Sequence, residues 1–119
     1  MKKLTNKEEA IMQVLWQLKK AFVKEIIQEL PAPKPHYNTV STIVRLLVDK
    51  GFVGFEAYGN THRYYPLINK KQYAKKFMGE VMSKYFDNSL SRLVAFFAEE
   101  KELSEEEIQE IINLIEQKK

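Results

Sequence analysis

Between Asn38 and Gly51 the chain reads Asn-Thr-Val-Ser-Thr-Ile-Val-Arg-Leu-Leu-Val-Asp-Lys-Gly. Val40, Ile43, Val44 and Leu47 recur at helical spacing and make a stripe that has to be covered. Asn38, Thr39, Ser41, Thr42 and Arg45 fall largely on the other face. Short hydroxyl side chains lower helix propensity, so crowding them on one helix asks for another reason. They are the right size to reach base edges in a DNA major groove. Gly51 supplies the stop.

After Gly51 the hydrophobic period changes from helical to alternating. Val53, Phe55 and Ala57 alternate with Gly54, Glu56 and Tyr58, as in a strand. Gly59-Asn60 predicts a two-residue turn of type II′ geometry. Thr61 to Tyr65 makes the return strand, and Pro66 ends it.

Two helices are expected ahead of the amphipathic one. Thr5 and Glu8 have the spacing of a capping box. Ile11, Val14, Leu15 and Leu18 follow as one face, with Trp16 beside it and Lys19-Lys20 at the end. A shorter helix spans about Val23 to Leu30, and Pro31, Pro33 and Pro35 close it. Helix, helix, helix, hairpin in about 65 residues is the order of a winged helix-turn-helix module, with the third helix as its recognition helix.

From Lys70 onward the pattern is helical again. Ala74, Phe77, Met78, Val81, Met82 and Tyr85 form a wide apolar face. Leu90, Leu93, Val94, Phe96 and Phe97 make a short second segment. Ser104 and Glu107 repeat the capping-box spacing and open a last helix carrying Ile108, Ile111, Ile112 and Ile115. Three short helices cannot enclose faces this broad by themselves. They either fold back on the first module or pair with an identical copy, and pairing also suits DNA, where two recognition helices read two half-sites. The chain is therefore expected to be mainly α with a small antiparallel β wing. Residues 1–69 form the DNA-binding domain and 70–119 a helical dimerisation domain built on Phe77, Val81, Leu90, Leu93, Val94, Phe97, Ile108, Ile111, Ile112 and Ile115.

Charge supports that division. Residues 1–69 are net +4 and residues 70–119 net −1, so the basic excess lies with the recognition helix. Composition excludes much else. There is no cysteine, and the two histidines, His36 and His62, make no metal-ligand cluster. No nucleophile, base and orienting group share a predicted site, and no glycine-rich phosphate loop occurs, so neither catalysis nor a cofactor is expected. The longest apolar run, Leu93 to Ala98, is too short for a membrane span, and no apolar run follows the N-terminal lysines. A soluble cytoplasmic protein is the expectation.

The ordered set of these residues resembles the penicillinase-repressor family, bacterial regulators of beta-lactamase and methicillin resistance. The resemblance rests on Leu4-Thr5, Ile11-Met12-Gln13-Val14-Leu15-Trp16, Lys24-Glu25-Ile26, Asn38-Thr39-Val40-Ser41-Thr42, Leu46, Lys50-Gly51-Phe52-Val53, Tyr64-Tyr65-Pro66-Leu67, Leu103-Ser104 and Glu107-Ile108. It implies a dimeric repressor on palindromic double-stranded operator DNA, controlling beta-lactam resistance genes. It also implies an upstream membrane sensor protein and relief by proteolytic cutting in the dimerisation domain. The family's cut falls before a Phe that follows Asn; aligned on Leu103-Ser104, the matching pair here is Phe96-Phe97. Tyr37 stands where the family often has Trp, and Phe22 where it often has a hydroxyl residue. Copper-responsive relatives carry cysteine pairs that this chain lacks.

The expected DNA-binding residues are Asn38, Thr39, Ser41, Thr42 and Arg45 on the helix, Lys34 and Tyr37 at its approach, and Arg63 near the hairpin tip. Each has a competing reading. The hydroxyls could be surface polarity, Arg45 could pair with Asp49 one turn on, Tyr37 could be a core aromatic, and His62 reads as a solvated turn residue. The Glu99 to Glu107 acidic set reads as a solvated helix start favoured by the helix dipole. A protein-interaction module without DNA binding is the rival function, although such a face should be more apolar and aromatic.

Overall fold

The computed structural model describes residues 3–100 and 102–117, apart from the side chain of Ile115. α1 (Asn6–Leu18) starts on the expected capping box: Glu8 N–H donates to Thr5 Oγ1 at 3.2 Å, and Thr5 N–H donates to Glu8 Oε1 at 2.9 Å. A two-residue strand, β1 (Ala21–Phe22), runs directly into α2 (Val23–Glu29). α3 (Tyr37–Asp49) follows the proline loop and ends where Gly51 takes φ 84°. β2 (Val53–Tyr58) and β3 (Thr61–Pro66) form the hairpin, with Gly59 at φ 60° as the turn type requires.

The sheet has three antiparallel strands in the order β1-β3-β2. The sequence reading found two, because a two-residue strand has no alternation to detect. Ala21 pairs with Tyr64, and Phe22 with Arg63. Phe22 also caps α2, its N–H donating to Glu25 Oε1 at 2.8 Å. A phenyl group accepts no hydrogen bond, so the half of the cap that a hydroxyl residue would supply is missing here.

Val40, Val44 and Leu47 of the α3 stripe are buried as expected and Ile43 is half-buried, while Met12 and Phe52 join the core from outside the expected faces. Ile11, Met12, Leu15, Ile26, Val40, Val44, Leu47 and Phe52 are buried where α1, α2 and α3 meet the sheet. Trp16 stands at its edge and donates its indole N–H to the Ile68 carbonyl at 2.8 Å. Tyr73 of α4 (Lys70–Tyr85) is buried as well, with its ring 5.9 Å from Trp16 and 6.0 Å from Phe52.

The chain divides into two compact units, Met1–Lys76 and Phe77–Lys119, with the boundary inside α4. The second unit contains α5 (Leu90–Glu99) and α6 (Glu105–Gln117). Ser89 caps α5 and Ser104 precedes α6, each accepting from the amide three residues on. No residue of α5 is buried. Phe77, Val81, Leu93, Val94, Phe97, Ile108 and Ile111 are half-buried, and Leu90, Phe96 and Ile112 are exposed. Ile115, which the sequence reading put on the same face, has a side chain outside the described residues. In this unit Phe86 lies edge-to-face on Phe96 at 5.6 Å, and Phe96 on Phe97 at 5.4 Å.

Candidate nucleic-acid interface

α3 packs its stripe on α1, α2 and β2 and leaves the opposite side open. Asn38, Thr39, Thr42, Arg45, Leu46 and Asp49 are exposed there. Thr42 donates its hydroxyl to the Asn38 carbonyl at 2.8 Å. The helix begins at His36, which makes no side-chain cap bond, and its first turn holds no acidic residue. That end therefore presents free amides and the positive pole of the helix, a ready partner for phosphate.

Ser41 departs from the sequence reading. It is 8% exposed and lies with Val40, Val44 and Leu47 on the buried side of α3. A helix advances by about 100° per residue, so Ser41 falls one turn before Val44 and two turns before Val48 rather than beside Thr42. Its small size lets it pack where a longer polar side chain would not. Tyr37 is the opposite case: it is exposed, not a core aromatic.

Between α3 and the hairpin runs a groove of about 540 Å³, bordered by Tyr37, Ser41, Arg45, Phe55, His62 and Tyr64. Burial pushes the Tyr64 phenol above its ordinary pKa, against the pull of the Arg45 guanidinium, with Tyr37 adding to the rise. Arg45 thus acts electrostatically across the groove, and among the described residues it makes no ion pair with Asp49. His62 stacks on Phe55, with centroids 4.5 Å apart and planes 13° apart.

Strand alternation decides which hairpin residues face α3. His62 and Tyr64 do so. Arg63, taken from the sequence as a tip residue, lies within the central strand on the other face, paired with Phe22 and Glu56. Its guanidinium sits over the Phe22 ring at 5.9 Å, and its Nε is enclosed without a hydrogen-bond partner. On that face Tyr65 covers Gly54, where an added Cβ would come within 2.8 Å of the ring. Tyr58 O–H and Lys20 bind Glu56 and hold its carboxyl below the ordinary range. The period-two pattern held the signal for His62; proximity to the turn obscured it.

Lys34 is also employed elsewhere. Its ammonium donates to the carbonyls of Gln28, at 2.8 Å, and Leu30, where it satisfies free acceptors at the end of α2.

A larger groove, about 1070 Å³, runs past Gln13, Trp16, Lys20, Tyr65 and Lys70 and brings together no nucleophile with a base. Among the described residues no group of acidic, histidine or cysteine side chains could hold a metal, and no helix is long and apolar enough to cross a membrane.

Known proteins give the same picture. The methicillin resistance regulatory protein MecI of Staphylococcus aureus (strain N315) is 27% identical over 97% of this chain and 94% of its own length. The penicillinase repressor of Bacillus licheniformis is 28% identical over 98% of this chain and 91% of its own length. The solution structure of the DNA binding domain of the repressor BlaI superposes with a TM-score of 0.52 at 27% identity, covering 61% of this chain and 94% of that one. The first unit is thus a winged-helix fold, and the family described as penicillinase repressor matches residues 4–117. A match over nearly the whole length, with the expected module at its head, makes this chain a member of the penicillinase-repressor family.

Proposed function

We propose that the protein is a transcriptional repressor that binds palindromic double-stranded operator DNA as a homodimer. The observation that carries this reading is the open face of α3, where Asn38, Thr39, Thr42 and Arg45 stand exposed opposite the buried Val40, Val44 and Leu47. The N-terminal end of α3 would meet one phosphate, and Arg45, Tyr37 and His62 line a groove that fits the backbone beside it. Ser41 borders the same groove but is largely buried, and Lys34 and Arg63 act on the framework.

The dimer is formed by the second unit. Leu90, Leu93, Val94, Phe96, Phe97, Ile108, Ile111 and Ile112 remain at least partly uncovered in one chain. Covering each large apolar side chain contributes roughly 1.5–3 kcal/mol. A second copy presents the same surface and matches it by two-fold symmetry. Linked modules raise each other's effective concentration on a two-half-site operator, so dimerisation sets affinity.

Induction follows from the same linkage. A protease acting near Phe96-Phe97, controlled by a membrane sensor of beta-lactam antibiotic, would remove α6 from the dimer and leave each winged module folded. Phe96 is 48% exposed and its ring packs edge-to-face on Phe86 and Phe97, so cutting there requires α5 to open locally. Selection of bound duplexes from a random pool tests the reading: a palindromic consensus is expected, and a pool without enrichment would refute DNA recognition.

A further inference from the structure

The recognition face carries an apolar side chain that the packing of α3 does not need. Val40, Val44 and Leu47 fill the buried stripe, each 1% exposed or less. Leu46 lies off that stripe and is 47% exposed. Beyond the first residue of the helix, it is the large apolar side chain on a face otherwise made of Asn38, Thr39, Thr42, Arg45 and Asp49.

Thr42, four residues earlier, is its neighbour along the helix surface. Its hydroxyl hydrogen is committed to the Asn38 carbonyl at 2.8 Å. A hydroxyl so engaged has no proton to offer guanine N7 or O6, or thymine O4. What Thr42 keeps for a base edge is an acceptor lone pair and its γ-methyl. Beside Leu46, the methyl makes an apolar strip. Four residues of helix rise roughly 6 Å, which spans about two base-pair steps of 3.4 Å. In the major groove thymine presents a C5-methyl group, and no other base does.

We propose that Leu46 and the Thr42 methyl read thymine methyl groups in each half of the operator. The proposal rests on the DNA-binding reading above and adds the chemistry that selects the sequence. Asn38 and Arg45 then supply the polar contacts on either side of an apolar centre.

The test uses the full chain and the duplex recovered from the random pool. Each symmetric pair of thymines is replaced by deoxyuridine, which removes the methyl and keeps the base pairing. Losing one buried methyl group weakens binding about fourfold, so a symmetric pair costs about fifteenfold. At least one pair should show that loss in the wild-type protein. Leu46→Ala, a change at an exposed site, should bind the corresponding thymine and deoxyuridine duplexes with nearly equal affinity. Replacements that all stay within twofold of the parent duplex would overturn the proposal while leaving DNA binding intact. So would a Leu46→Ala protein that keeps the full penalty at every pair. Failure to recover any duplex would overturn the DNA-binding reading itself, and this refinement with it.

Discussion

Lys50, at the C-terminal end of α3, reaches Glu8 in the first turn of α1, with Nζ 2.7 Å from Oε2 and 2.9 Å from Oε1. Glu8 is 3% exposed and already accepts the Thr5 amide. One carboxylate therefore caps the first helix and anchors the far end of the recognition helix.

That arrangement makes the module acid-sensitive. Burial raises the Glu8 pKa and is the largest single influence, but the hydrogen bonds from Lys50 and Thr5 and the charge of Lys50 outweigh it and leave the value below the ordinary one. A carboxyl depressed in the folded state adds stability that is present above the unfolded pKa, about 4.3, and is lost as pH falls through the folded value. Glu8→Gln should flatten the acid limb of stability measured by urea unfolding between pH 6 and 3. Lys50→Ala leaves a buried carboxylate short of its partner and should cost about 2 kcal/mol at neutral pH. An unchanged acid limb in Glu8→Gln would show that other groups set it.

Lys19 ends α1 at φ 72°, in the left-handed region that L side chains avoid. Its N–H still closes the helix on the Leu15 carbonyl at 2.8 Å. Lys19→Gly should raise stability by about 1 kcal/mol, read as a higher urea midpoint with the same slope. A lower midpoint would mean that the lysine side chain contributes more than the backbone loses.

Arg45→Ala should weaken operator binding and reduce the slope of log affinity against log salt by roughly one unit, the mark of one lost phosphate contact. Fluorescence anisotropy across a salt series measures both quantities. An unaltered slope with weaker binding would move Arg45 from phosphate to a base edge.

Long periodic segments made the first unit legible from sequence. The α3 stripe, both hairpin strands and the Thr5-Glu8 cap follow from spacing, because 3.6- and 2-residue periods report directly on which side is covered. What escaped has several physical causes. β1 is too short to show a period. Lys34 closes a helix end that proline rules mark but do not satisfy. His62 and Arg63 both lie beside the turn in sequence, and only strand alternation separates the faces they occupy. Ser41 looked like its hydroxyl neighbours in composition and differs from them only by angle.

The second unit predicts its own oligomeric state. Light scattering at micromolar concentration should give twice the 14.0 kDa of one chain. Ile111→Glu or Leu93→Glu should return the mass to that of a single chain, since a charge would face an apolar partner surface. A chain truncated after Phe96 should be monomeric and bind operator weaker by orders of magnitude, with the winged module still folded. Dimeric, fully active truncated protein would exclude cleavage there as the switch.

Two linked recognition helices that read one palindrome fix both the mass and the affinity of the complex. Sedimentation of the full chain on the selected duplex should give two chains per duplex, and scrambling one half-site should lower affinity by orders of magnitude. One chain per duplex, bound equally well to the intact and the half-scrambled operator, would contradict the account.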